Sequence, residues 1–291
     1  MVSASDFETK VKDQAYLEVY HVHVKTAPQT KAVPLLLQPV LEEFSDVFPA
    51  TLPPELPPTR SIEHEVVLKP GAQPSNRVPF RLCKVEQDTL EINIFGVPKN
   101  DPVTGKFPSR LEWLHSNDPN MPIRWVIDYR LVNAASKVAK IPLPHIEELF
   151  DRMEGACVFS ILDLASGCHQ MRMASSSKQY TAFRINHVIY EWNVAPMVPA
   201  GMPGTWTQLM RHLLHKFAFV VVYLDDICIF SQTMAEHAEH LRQVCAVLSE
   251  NKLYARPDKG DFGQDSVDFL GHTISLQGLH VDVRKTRAIA E

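Results

Sequence analysis

The chain has 291 residues, 45% of them hydrophobic and 22% charged, with a formal net charge of −5. That is the balance of a globular protein with a sizeable core in one or two domains, and it is not the footprint of a strongly basic nucleic-acid binder. Five cysteines without a CxxC pair (83, 157, 168, 228 and 245) argue against disulfides or a zinc site and suit an intracellular protein, and the longest apolar run, Phe217–Leu224, is too short to span a membrane.

In chain order, segment 1–48 is weakly patterned, and residues 1–39 show no core of their own. Residues 49–79 hold eight of the 22 prolines, including the run PPELPP, and read as an extended linker. Asn100–Pro122 is a turn-rich surface excursion within the next block, 80–145. Helical periodicity predicts helices over Ile146–Met153, Thr205–Lys216 and Ala235–Glu250. Strand-like runs fall at 157–162, 180–185, 188–194, 218–223 and 227–230. Strands and helices mixed with hairpins in this way predict an α+β layer architecture. Three features take an ordinary reading. Glu236-His237 and Glu239-His240 read as a solvated helix face, Cys245 as core beside Leu241, Val244 and Leu248, and Trp192 and Trp206 as packing residues.

The chemistry gathers around three acids. In FAFVVVYLDDICIF (Phe217–Phe230) two apolar, β-branched stretches flank Asp225 and Asp226, the pattern of a buried hairpin with two carboxylates at its tip. Adjacent carboxylates raise each other's pKa and resist desolvation unless a cation sits between them. Hard oxygen ligands of this kind suit magnesium carrying substrate phosphates. A plain solvated turn would explain Asp-Asp as well, until a third acid is considered. Asp163 ends another apolar run, Val158–Asp163, and Ala-Ser-Gly follows shortly after it. Alternation along a strand keeps Asp225 and Asp226 from facing one metal pair equally, so one is expected to join Asp163 as a ligand while the other lies more peripherally.

FSILDLASGCHQMRM, TAFRI, YEWNVAPM, YLDDICIFSQT, EHAEHLRQVCAVL and FLGHTISLQGLHVD together resemble the reverse transcriptase of gypsy-type LTR retrotransposons. Upstream, RWVIDYRLVN and IPLPHIEELFDRMEGA resemble its passage from fingers to palm, and FSDVFPATLPPELPPTR the linker before it. The resemblance implies a ferredoxin-like palm over 146–248, partial fingers over 80–145, and a primer-grip region and start of the thumb over 249–291. It implies an RNA-directed DNA polymerase domain adding dNTPs to a primer 3′-hydroxyl on an RNA template, with two Mg2+ ions (or Mn2+) as cofactors and no membrane.

Residue by residue, the resemblance makes Asp163, Asp225 and the Leu164 carbonyl metal ligands, with Asp226 completing the acidic cluster. Lys99 and Arg124 take the incoming nucleotide, with Cys168, Met197 and Val198 around it, and Leu270, Gly271 and His272 grip the primer end. Cys168 stands where the family usually has an aromatic ring that blocks a 2′-hydroxyl, which predicts weakened discrimination against ribonucleotides. Val198-Pro199 replaces Gly-Leu and Tyr180 replaces a lysine. Asp88–Glu91 runs straight into Ile92–Phe95, so part of the fingers is expected to be missing. With no protease signature and an end at Glu291 ahead of any RNase H or integrase, these departures predict a fragment. An inactive relic that at most binds nucleic acid stays open, as does a palm polymerase of another template class.

Overall fold

A computed structural model describes residues 32–72, 94–98, 123–127, 129–138, 145–185, 188–196 and 199–281. The excursion at Asn100–Pro122, the junction at 88–93 and the Val198 side of the 198–199 pair lie outside them. The chain divides into two compact units. In the smaller, residues 95–98 and 123–126 belong to β1 (Ile94–Pro98) and β2 (Ile123–Ile127), neighbours in a two-stranded sheet.

The larger unit is built on a four-stranded antiparallel sheet. Its strands are β3 (Val158–Asp163), β6 (Val220–Tyr223), β7 (Asp226–Ser231) and β8 (Asp261–Gln264), in the order β6-β7-β3-β8. β3, β6 and β7 are mainly apolar runs with Val and Ile, as expected of strands covered on both faces, while β8 reads Asp-Phe-Gly-Gln. Side chains alternate across it. Leu162, Val220, Ile227 and Ile229 enter one core, against α4 (Met202–Leu214) and α5 (Met234–Glu250). Phe159, Ile161, Val221 and Cys228 enter a second, against α3 (Ile146–Arg152) and a three-stranded sheet of β9 (Ser266–Phe269), β10 (His272–Ser275) and β11 (Gly278–Val281). Helices on one face and a helix with a second sheet on the other make an α+β fold.

Local chemistry explains several boundaries. α4 starts three residues earlier than periodicity predicts, because Pro203 sits in the first turn, where a missing N–H costs nothing. α5 opens on Thr233, whose Oγ1 accepts the Glu236 N–H at 3.3 Å, while Glu236 Oε2 accepts the Gln232 N–H at 3.1 Å. Between Ser175 and Thr181 the chain makes a 3-10 helix rather than the start of a strand, leaving β4 (Phe183–Ile185) paired with β5 (Val188–Tyr190). In β8, Gly263 takes φ +59° at an irregularity opposite β3, and its N–H donates to the Ser160 hydroxyl at 2.9 Å.

The segment before the larger unit's sheet borrows the unit's core. Leu37 and Val40, flanking and within α1 (Gln38–Glu43), are buried against it. The proline-rich stretch is strapped down. Arg60 donates to the carbonyls of Gln170 and Asn251, both at 2.6 Å, and Arg172 Nε donates to the Pro57 carbonyl at 2.5 Å. Beyond it, His64 pairs with Met173 and Leu68 with Ser136, at the end of α2 (Arg130–Ala135).

The reading of the Glu236–His240 face is corrected by the fold. His237 is fully buried, bonded through Nε2 to Ser160 Oγ at 2.7 Å and through Nδ1 to Ser231 Oγ at 2.8 Å. Ser231 also meets His240 Nδ1 at 2.8 Å, and the His240 ring stacks on Phe219. A histidine on a helix face becomes core when the sheet beneath offers hydroxyl partners. Cys245 is buried beside Leu241, Val244 and Leu248. Among the described residues no helix is long and apolar enough to cross a membrane.

Candidate active site

β3 and β7 pair in register from Val158↔Ser231 to Asp163↔Asp226, so two of the three acids face each other directly at the end of the sheet. Opposed residues of an antiparallel pair point to the same face. By alternation that is the face of Phe159, Ile161 and Cys228, which carries α3 and β9–β11. Asp225 lies one residue on, in the two-residue turn between Tyr223 and Asp226. The turn's first residue, Leu224, has φ +54°. A left-handed φ costs a Cβ-bearing residue about 1–3 kcal/mol.

The turn is tied at both carbonyls. Trp206 Nε1 donates to the Leu224 oxygen at 3.1 Å, and the Leu164 N–H donates to the Asp225 oxygen at 3.3 Å. Gly167 fits between ring and acid: a Cβ there would lie 2.7 Å from Asp225 Oδ1 and 2.9 Å from Trp206 Cζ2. That spacing admits only glycine without displacing the carboxylate or the indole.

The strand end around Asp163 is equally bound. The Arg256 N–H donates to the Asp163 carbonyl at 2.8 Å and the Ala165 N–H to the Tyr254 carbonyl at 2.9 Å, bridging Leu164 to Ala255. Both bonds of that bridge pass through the flanking residues, so neither engages the Leu164 carbonyl. The buried Gln170 amide clamps the same two segments, donating to the carbonyls of Ala165 and Tyr254 and accepting the Tyr254 N–H at 2.7 Å. Lys259 then brings Nζ to 3.4 Å from Asp163 Oδ2. Nothing in the sequence pointed to Lys259, because 96 positions separate the partners and they meet only through the pairing of β3 with β8 and the bridge to Ala255.

The electrostatics follow from this crowding. Asp225 is exposed as a residue, yet the partial burial of its carboxyl, and then the charge of Asp163, raise its pKa above the ordinary carboxylate value. Burial also raises that of Asp226, reinforced by Asp163 and Asp225 and opposed by Lys259. Burial and the charge of Asp225 push the Cys168 thiol up to about 11, so it stands beside the acids as a neutral group.

The structure thus gathers Asp163, Leu164, Cys168, Asp225 and Asp226 in one place. Leu270 and Gly271 form the turn between β9 and β10, and His272 opens β10, its ring meeting Phe150 of α3 edge-on at 5.1 Å. Arg124 lies on β2, with its side chain outside the described residues, as are Lys99, Met197 and Val198 altogether. Among the described residues no three His, Cys, Asp or Glu side chains converge on a single metal position. The donor set still fits a hard divalent cation. Burial and then the charge of Asp163 destabilise the ionised forms of both Asp225 and Asp226, and Asp225 adds to this at Asp226; a cation relieves such repulsion.

Known proteins resemble this chain in sequence and in fold. A sequence profile described as "Reverse transcriptase (RNA-dependent DNA polymerase)" matches residues 116–274, more than half of the chain. The Tf2-3 transposon polyprotein of Schizosaccharomyces pombe is 30% identical over 83% of the chain, and the retrovirus-related Pol polyprotein from transposon 297 of Drosophila melanogaster 32% over 57%. A polyprotein of cassava vein mosaic virus is 32% identical over 61% of the chain. The chain spans 27%, 18% and 16% of the length of the virus, Tf2-3 and transposon 297 polyproteins. Among solved structures, the foamy viral protease-reverse transcriptase in complex with an RNA/DNA hybrid superposes with a TM-score of 0.70 at 18% identity, covering 97% of this chain and 40% of that one. The same protein in complex with dsDNA gives 0.68 at 20% identity, over 87% of this chain and 53% of that one.

Proposed function

The chain belongs to the reverse transcriptase (RNA-dependent DNA polymerase) family, and from that premise we propose that it is the polymerase domain of a gypsy-type LTR retrotransposon polyprotein, acting inside the cell. It extends a DNA primer on an RNA template, taking dNTPs. The observation that carries this reading is the register of β3 and β7, which opposes Asp163 and Asp226 beside the turn bearing Asp225. The foamy viral protease-reverse transcriptase was solved in complex with an RNA/DNA hybrid, the product this reaction would make.

Asp163 and Asp225, with the Leu164 carbonyl, would hold two Mg2+ or Mn2+ ions, and Asp226 completes the acidic cluster. When bound, two such ions activate a primer 3′-hydroxyl and support a leaving pyrophosphate. The chain's own residues supply the rest. Trp206, Gly167 and Leu164 fix the Asp225 turn, and Gln170 holds the Asp163 segment against Tyr254. Lys259 offsets part of the acidic charge at Asp163. Lys99 and Arg124 would bind the triphosphate by charge-assisted contacts. Met197 and Val198 would line the nucleotide pocket, and Leu270, Gly271 and His272 would grip the primer end. The small thiol of Cys168 leaves room for a 2′-hydroxyl. As domains, 80–145 would be partial fingers, 146–248 the palm and 249–291 the primer-grip region, after a weakly patterned 1–48 and a proline-rich 49–79.

Primer extension by the purified chain tests this. Mg2+-dependent extension on an RNA template, lost in Asp225→Asn, is the expected result, with weak preference for dNTPs over rNTPs. Equal or better extension on DNA would reassign the template class. A second reading, an inactive relic that at most binds nucleic acid, is favoured by the lack of three converging ligand side chains among the described residues. Absence of extension despite nucleic-acid binding would establish it.

A further inference from the structure

The turn carrying Asp225 adopts a conformation that its own residues disfavour. Leu224 has φ +54°, and the first loop position of a two-residue hairpin with a positive φ usually falls to glycine. Contacts from outside the turn must therefore hold it. Trp206, on α4, is 1% exposed and gives its indole N–H to the Leu224 carbonyl at 3.1 Å. The same ring lies beside Gly167, whose missing Cβ would sit 2.9 Å from Cζ2 and 2.7 Å from Asp225 Oδ1. Indole and carboxylate thus flank the glycine so closely that no Cβ fits there.

We propose that Trp206 is a positioning residue for Asp225. Its N–H holds the turn in the left-handed conformation, and its ring, through Gly167, sets where the carboxylate stands. Packing alone does not account for this, since burial of the ring does not require its N–H to meet the one carbonyl of the strained turn residue. The inference rests on the reading of Asp163, Asp225 and Asp226 as the catalytic acids.

The test uses the full chain and Trp206→Phe. Single-nucleotide extension should show kcat lower by about tenfold with KM for dNTP within about twofold, since an interaction made only at the reacting centre lowers kcat without weakening substrate binding. Mn2+ affinity, followed by electron paramagnetic resonance, should fall severalfold at a temperature where the variant is still fully folded, its thermal midpoint being lower by a few degrees for the smaller ring. Leu224→Gly added to Trp206→Phe should restore both, because glycine adopts the turn unaided. Unchanged kcat and Mn2+ affinity in Trp206→Phe, or losses that merely follow unfolding, would overturn the proposal. The wild-type chain gives an independent check. In 15N-labelled protein the Trp206 indole resonance should broaden first of the four tryptophans as Mn2+ is added, and another broadening first would refute the placement. If the wild type extends no primer, the polymerase reading fails, while the Mn2+ measurements still decide the role of Trp206.

Discussion

Two tight hairpin turns in this molecule begin with a leucine in the left-handed region and differ in what holds them. Between β9 and β10, Leu270 (φ +52°) is followed by Gly271 (φ +76°), so both loop residues take the positive φ that a type I′ turn demands. Between β6 and β7, Leu224 (φ +54°) is followed by Asp225, which has no positive φ. The first turn gives one of its two left-handed positions to glycine. The second gives up glycine to place a carboxylate, and its conformation is imposed by Trp206 and Leu164 from elsewhere. Local rules fail where chemistry is placed, and the surrounding packing compensates.

This contrast can be broken in steps. Asp225→Asn keeps the turn's shape and removes its charge. Extension should fall by at least about a thousandfold, or about 4 kcal/mol in barrier, with the thermal midpoint unchanged or higher, because a repelling charge is gone. Gly167→Ala attacks the packing instead. With 2.7 Å to Asp225 Oδ1 and 2.9 Å to the indole, either the acid or the ring must move. Extension should drop by about a hundredfold, and urea melts should show a loss of about 1–3 kcal/mol.

The strands beneath the turn answer to pH. Burial lowers the pKa of His237 to about 4, while the unfolded chain titrates near about 6.5. The unfolded state therefore binds the proton first as pH falls. Stability from this site is full above about 6.5 and is lost progressively down to about 4, by about 3 kcal/mol. His64, lowered to about 4 by burial, contributes with the same sign. Asp225 and Asp226 act oppositely, since their raised values mean that repulsion is relieved on acidification. Thermal midpoints between pH 7.5 and 4.5 should fall, and His237→Gln should flatten part of that slope. The smallest effect belongs to the turn that keeps its glycine. Gly271→Ala places a Cβ at φ +76° and should cost about 1–2 kcal/mol in urea melts, with an unchanged slope.

Much of the sheet was legible because apolar runs ending in acids are a local signal. β3, β6 and β7 lie within a residue or two of the predicted runs. The helix over 234–250 was legible for the same reason, its apolar stripe opening on a Thr-x-x-Glu cap. Residues 180–181 were misread, since Tyr and Thr favour strands while the chain closes a 3-10 helix there, with Thr181 Oγ1 returned to the Lys178 carbonyl at 2.6 Å. Trp206 was read as packing. Its burial was predictable, but the acceptor for its N–H was not.

The amino-acid sequence by itself determined β3, β6 and β7, the main helices, the family and the presence of three acids at or beside strand ends, because these depend on composition and spacing within a few residues, whereas β8–β11 were not read from it. Only the tertiary structure decided that Asp226 rather than Asp225 opposes Asp163, that Lys259 meets Asp163, that His237 is core, and that Trp206 holds the Leu224 turn. Register, burial and the partner of a hydrogen-bonding group are settled between segments far apart in the chain, where no local pattern carries the information.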